Sequence, residues 1–180
     1  MDLQEQIAKI DQLSLGFQYS QVLFTALRAG VFSHLDAPRT AAEMGHLLGW
    51  SERGTRLLLN ALVALELLSI YDGHYKNTEI ASNCLIPGAP GDQTHIAAHR
   101  ADGWASWSRL AEAVRTGEAI LPSAQVRTSE QLRNFICGMS EIAKHSAQLM
   151  LERLDVSAYR RLLDLGAGPG SYSIAFLERH

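Results

Sequence analysis

A run near the C-terminal end, Leu162-Leu-Asp-Leu-Gly-Ala-Gly-Pro-Gly170, narrows the folds open to this chain. Arg161 to Leu165 is a short apolar stretch of strand length, and Ser171-Tyr-Ser-Ile-Ala-Phe-Leu-Glu178 after it has helical spacing. Between them stand three glycines, so the pattern reads strand, glycine turn, helix. Glycine lacks a Cβ and lets backbone come within contact distance of a ligand, and the helix behind such a turn presents free N–H groups to polar or negative atoms. A nucleotide-like ligand is implied.

Spacing and charge narrow the ligand further. The dinucleotide fingerprint GxGxxG needs a glycine where this chain has Ser171, and a P-loop needs a lysine, absent between Lys144 and His180. Asp164, two residues before the first glycine, would repel a pyrophosphate but suits the ammonium end of S-adenosylmethionine. The contacts expected to hold that cofactor are Asp164, Gly166, Ala167 and Gly168. One βαβ unit needs about 30 residues or more. Only 20 remain from Arg161, so residues 159–180 are expected to begin a cofactor domain and not complete it.

The N-terminal half has a different grammar. Ile7, Ile10, Leu13, Phe17, Val22, Leu23, Ala26 and Leu27 recur near helical spacing up to Gly30. Thr40-Ala-Ala-Glu43 is a capping box opening a short helix that Gly49 stops. Ser51 caps a third helix, expected from Glu52 to Leu68, with Leu57, Leu58, Ala61, Leu62, Leu65 and Leu68 as its apolar stripe. Ile70-Tyr71 and His74-Tyr75-Lys76 flank Asp72-Gly73, a hairpin-turn dipeptide. Three helices and a hairpin spell a winged helix over residues 1–86.

Pro87-Gly-Ala-Pro-Gly91 excludes any regular element and marks a linker. Beyond it, Ile96, Trp104, Trp107, Leu110, Ala111 and Val114 predict one amphipathic helix ending near Gly117. A second is predicted from about Ser129 to Leu154, with Leu132, Phe135, Ile136, Met139, Ile142, Ala143, Ser146, Leu149 and Met150 facing inward. Residues 87–158 are thus linker and pocket helices. His95 and His99 stand four apart, but no third ligand is evident near them, so no metal is expected.

The run through Gly170 resembles motif I of class I S-adenosylmethionine-dependent methyltransferases. With the winged helix upstream, Ala113-Val-Arg-Thr-Gly117 and Phe135-Ile-Cys-Gly-Met139, the chain is similar to the small-molecule O-methyltransferases of the caffeate, acetylserotonin and hydroxyneurosporene type. That resemblance implies a mainly α chain: a winged-helix dimerisation domain, linker helices, then the first strand and helix of a truncated Rossmann-like α/β domain. It further implies a homodimer, S-adenosylmethionine as cofactor and a small, aromatic hydroxyl compound as substrate. Phe135, Met139 and Ile142 are expected to face cofactor and substrate, with Met139 touching both, while Trp104 and Trp107 are weaker substrate candidates. The catalytic base is expected beyond His180, and the isolated chain is expected to be inactive.

Two rival readings remain: a winged-helix transcription regulator, and a dimerisation or scaffold module without catalysis. Sixteen Lys+Arg against nineteen Asp+Glu give a net charge of -3, which provides no field for phosphate backbones or anionic lipid. The third helix offers only Arg53 and Arg56 as basic residues, too few for the backbone contacts that a DNA-reading helix needs. Neither nucleic acid nor membrane is expected as a partner. The acidic start Met1-Asp2-Leu3-Gln4-Glu5 and the absence of a long apolar run predict a soluble, cytoplasmic protein. Cys84 and Cys137, outside any CxxC pattern, read as ordinary thiols.

Overall fold

A computed structural model describes residues 2–120 and 127–179. The chain divides into two compact units, Met1–Pro90 and Gly91–His180.

In the first unit, helix α1 (Leu3–Arg28) starts at a capping box in which Asp2 accepts from the Glu5 N–H and the Glu5 carboxylate accepts from the Asp2 N–H. Helix α2 (Ala41–Leu48) has the expected box: the Glu43 N–H donates to Thr40 Oγ1 and the Thr40 N–H to Glu43 Oε2 at 2.7 Å. Helix α3 (Glu52–Ala64) is capped by Ser51, which accepts from the Gly54 N–H. All three helices end alike. Gly30, Gly49 and Glu66 take left-handed φ, and the N–H groups of Val31, Trp50 and Leu67 reach back to the carbonyls of Ala26, Gly45 and Leu62.

That third ending corrects the expected boundary of α3. The helix stops at Ala64, because Glu66 (φ 59°) reverses the chain and leaves Leu68 to open a strand. Its buried face is Thr55, Leu59 and Leu62, while Leu57, expected inside, is exposed. Strands β1 (Arg39–Thr40), β2 (Leu68–Tyr71) and β3 (His74–Asn77) form an antiparallel sheet of order β1-β3-β2. The wing turn is Asp72 (φ 46°) and Gly73 (φ 74°), as Asp-Gly demands. The Tyr75 hydroxyl donates to Asn60 Oδ1 at 2.7 Å and ties the wing to α3. Helix α4 (Glu79–Cys84), which the apolar pattern did not announce, completes a core of Val31, Phe32, Leu35, Met44, Leu59, Leu62 and Leu68. Only the C-terminal half of α1 packs into it; Ile10 and Leu13 are 64% and 67% exposed.

In the second unit, the single helix expected through Ile96–Val114 is three: α5 (Thr94–Asp102), α6 (Trp104–Trp107) and α7 (Leu110–Thr116). Gly103 separates the first two. At the second break, the Ser108 hydroxyl donates to the Ala105 carbonyl, a local side-chain bond that competes with the helical ladder. Helix α8 (Ser129–Arg153) opens with a Thr128–Gln131 capping box, and both α5 and α9 (Ser171–Arg179) pack on it.

The inner face of α8 is not the expected one. Gly138, Glu141, Ala143, Ala147 and Leu151 are buried, whereas Leu132, Ile136, Ile142 and Leu149 are exposed. The reason is proximity: a Cβ on Gly138 would fall 2.8 Å from Ile96 Cα, so α5 and α8 touch through backbone there. Residues 154–170 carry no strand. A strand is defined by its ladder partner, none stands beside Arg161–Leu165 among the described residues, and Leu165 is 85% exposed.

Candidate functional site

The turn read from the sequence has the backbone that its glycines allow. Gly166, Gly168 and Gly170 have φ of 75°, 53° and 74°, a region that costs an L-residue roughly 1–2 kcal/mol each. The Gly170 N–H donates to the Ala167 carbonyl at 2.8 Å, and α9 then begins at Ser171. The Ser173 hydroxyl donates to Asp164 Oδ2 at 2.6 Å, so the first turn of α9 holds the carboxylate beside the glycines. Ser140 Oγ and Ser171 Oγ lie 2.9 Å apart, which brings the middle of α8 to the head of α9. Met139 is the neighbour of Ser140. The expected cofactor residues Asp164, Gly166, Ala167 and Gly168 therefore share one turn, and α8 meets that turn next to Met139. Neither Ser140 nor Ser173 was singled out from the sequence; small hydroxyl residues give no signal without their partners.

Phe135, Met139 and Ile142 follow one another along α8 at spacings of four and three; the first two are half-buried and Ile142 is exposed. His99 of α5 stands against Phe135, with ring centroids 5.2 Å apart, and the Arg127 guanidinium lies 4.5 Å from the Phe135 centroid on α8's approach. Burial, and after it the Arg127 charge, holds the His99 imidazole below the usual histidine range. Trp107 is 69% exposed, and Trp104 is also exposed, so neither is packed as core.

His95 has a different neighbour. Glu141 Oε1 accepts from His95 Nδ1 at 2.8 Å and from the His95 N–H at 3.1 Å, and Oε2 accepts from the Ile96 N–H at 2.8 Å. A buried carboxylate from α8 thus caps the N-terminus of α5. Asp92 stands close too, so Asp92, His95 and Glu141 bring ligand atoms within 4.8 Å of one another. The expectation that His95 lacks neighbouring donors is corrected: they arrive from Asp92 and from 46 residues along the chain. Both carboxylates are engaged, since Asp92 accepts from the Thr94 N–H and hydroxyl, and the cluster acts as a helix cap.

On α3, Arg56 is paired with Glu52 at 3.5 Å, which further weakens any DNA-reading role for that helix. Among known families, the match falls on the first unit. Residues 11–87 match the O-methyltransferase dimerisation domain. The matched stretch contains the winged helix, from Asp11 within α1 to Ile86 and Pro87.

Relatives extend the likeness past it. Acetylserotonin O-methyltransferase of Bos taurus is 34% identical over 89% of this chain and 52% of its own length. A 3-hydroxy-5-methyl-1-naphthoate 3-O-methyltransferase of Streptomyces sahachiroi is 31% identical over 95% of this chain and 52% of its own. Human N-acetylserotonin methyltransferase, solved in complex with SAM, superposes with a TM-score of 0.85 at 27% identity, covering 99% of this chain and 57% of that one. The chain spans about half the length of the curated relatives it matches. The resemblance to small-molecule O-methyltransferases is shown, with both units included in these alignments. Among the described residues no helix is long and apolar enough to cross a membrane.

Proposed function

We propose that this chain is the N-terminal part of a cytoplasmic methyltransferase that moves the methyl group of S-adenosylmethionine onto a hydroxyl of a small aromatic molecule. Residues 1–86 are the dimerisation domain, 87–158 the linker and pocket helices, and 159–180 the start of the cofactor domain. The observation that carries the reading is the left-handed glycine turn with Asp164 fixed beside it by Ser173. The residues fit the cofactor. Gly166, Ala167 and Gly168 leave the approach to the backbone open, with no side chain on either glycine, and Asp164 offers a charge opposite to the ammonium group. Bound there, the cofactor would supply an electrophilic methyl group on a sulfonium.

The chain's own part is positioning. Met139 and Phe135 lie along the stretch of α8 whose Ser140 meets the head of α9, so one helix serves both reactants. Such alignment of an acceptor with a donor supplies a large share of a transfer rate. Ile142, Trp104 and Trp107 extend the acceptor side. The base that takes the hydroxyl proton lies outside residues 1–180 in this proposal, consistent with the half-length match. Neither nucleic acid nor membrane takes part.

Calorimetric titration with S-adenosylmethionine, using the longest polypeptide the gene encodes, tests the cofactor site. Gly168→Val, which puts a branched side chain at φ 53°, should weaken binding more than about tenfold, and Asp164→Asn by roughly tenfold. Undiminished affinity in both variants would end the proposal.

The partner proposed is a second copy. Leu3, Ile7, Ile10 and Phe17 stand at alternating three- and four-residue steps on α1, with Ser14 filling the one remaining step, and all four apolar positions are exposed. Sedimentation equilibrium should show a dimer, and the Ile7→Glu/Ile10→Glu double variant a monomer with unchanged helical content. A monomeric parent chain would refute the assignment.

A further inference from the structure

Two nitrogen-bearing side chains, Arg127 and His99, stand against the Phe135 ring. The Arg127 guanidinium lies over that ring at 4.5 Å, and the His99 ring meets it at a 59° tilt with centroids 5.2 Å apart. All three side chains are half-buried. Arg127 is a member of neither the Arg56–Glu52 nor the Arg109–Glu112 ion pair. A guanidinium laid against an aromatic face is oriented without using its edge, where the paired N–H donors lie. The His99 imidazole, held below the usual histidine range first by burial and then by the Arg127 charge, stands beside the same ring. An aromatic surface, a fixed fork of donors and an adjacent imidazole together match a flat molecule that ends in a carboxylate.

We propose that Arg127, assisted by His99, forms an anion subsite beside Phe135 that selects aromatic acceptors bearing a carboxylate. The inference rests on the reading above, in which the Phe135–Met139 face takes the acceptor, and it adds to that reading the acceptor's charge. Arg127 and His99 are specificity residues in this scheme; neither touches the methyl group in flight.

Calorimetric titration of the full chain with 2-naphthoate and with its uncharged counterpart 2-naphthamide separates the possibilities. The acid should bind at least about tenfold more tightly than the amide, the usual order for a charge-assisted bidentate pair. Arg127→Gln should bring the acid to the level of the amide while leaving the amide unchanged, and Arg127→Lys, which keeps the charge without the fork, should restore only part of the difference. Equal affinities in the parent chain, or an acid preference that survives Arg127→Gln, would overturn the anion subsite and leave the acceptor face standing. Failure of both compounds to bind would overturn the acceptor face and the subsite with it, whereas the glycine-turn titration reports on the cofactor site separately.

Discussion

Glu141→Ala is expected to destabilise the second unit by about 2–4 kcal/mol, since each buried donor left without an acceptor costs about 1–3 kcal/mol. Three donors lose their acceptor at once: the backbone N–H groups of His95 and Ile96 and the Nδ1 of His95. Ile96 is buried, so its N–H has no access to replacement water. Glu141→Gln retains one carbonyl oxygen but turns an NH2 group toward a donor, so it should lose roughly half as much. Chemical denaturation gives the total, and hydrogen exchange gives its location: the first-turn amides of α5 should lose protection before those of α8. A loss under about 0.5 kcal/mol would show that Glu141 is a bystander.

Gly138→Val is expected to cost about 2–3 kcal/mol or more, although valine is intrinsically the better helix former. The added Cβ would meet Ile96 Cα at 2.8 Å and Ile96 N at 3.0 Å, and backbone atoms cannot rotate aside. Helix α5 must retreat, and His99 with it, so the nuclear Overhauser contact between His99 and Phe135 should disappear along with the fall in melting temperature. Gly16→Ala supplies the control. Nothing lies within 4 Å of a Cβ at that position on α1, and the exchange should stabilise by about 0.5–1 kcal/mol. Equal behaviour of the two glycines would contradict the close approach.

These two positions also mark where the sequence was hardest to read. The winged helix was legible because its signals are local: Thr40 and Glu43 sit three residues apart, Ser51 caps its own helix, and Asp72-Gly73 dictates a turn. The glycine turn was legible for the same reason. By contrast, the inward face of α8 was sought among its large apolar residues, whereas close helix contact selected Gly138 and a buried acid. A glycine and a glutamate in the middle of a long amphipathic helix, three apart, were the available signal. The boundary of α3 was overrun because Leu65, Leu67 and Leu68 continue an apolar run, and a left-handed Glu66 has no signature. The Asp92–His95–Glu141 cluster spans 46 residues between His95 and Glu141, beyond any local motif.

The capping of α5 by α8 has a bearing on how the chain is made. Nine residues are too few to hold a helix alone in water, and the acceptor for its leading amides is encoded 46 residues later. At a synthesis rate of about 5–20 residues per second, His95 precedes Glu141 off the ribosome by roughly 2–9 seconds. Throughout that interval the nascent segment carrying His99 has no fixed shape, and the first unit, whose helices α1, α2 and α3 are capped by residues just ahead of them, is free to fold first.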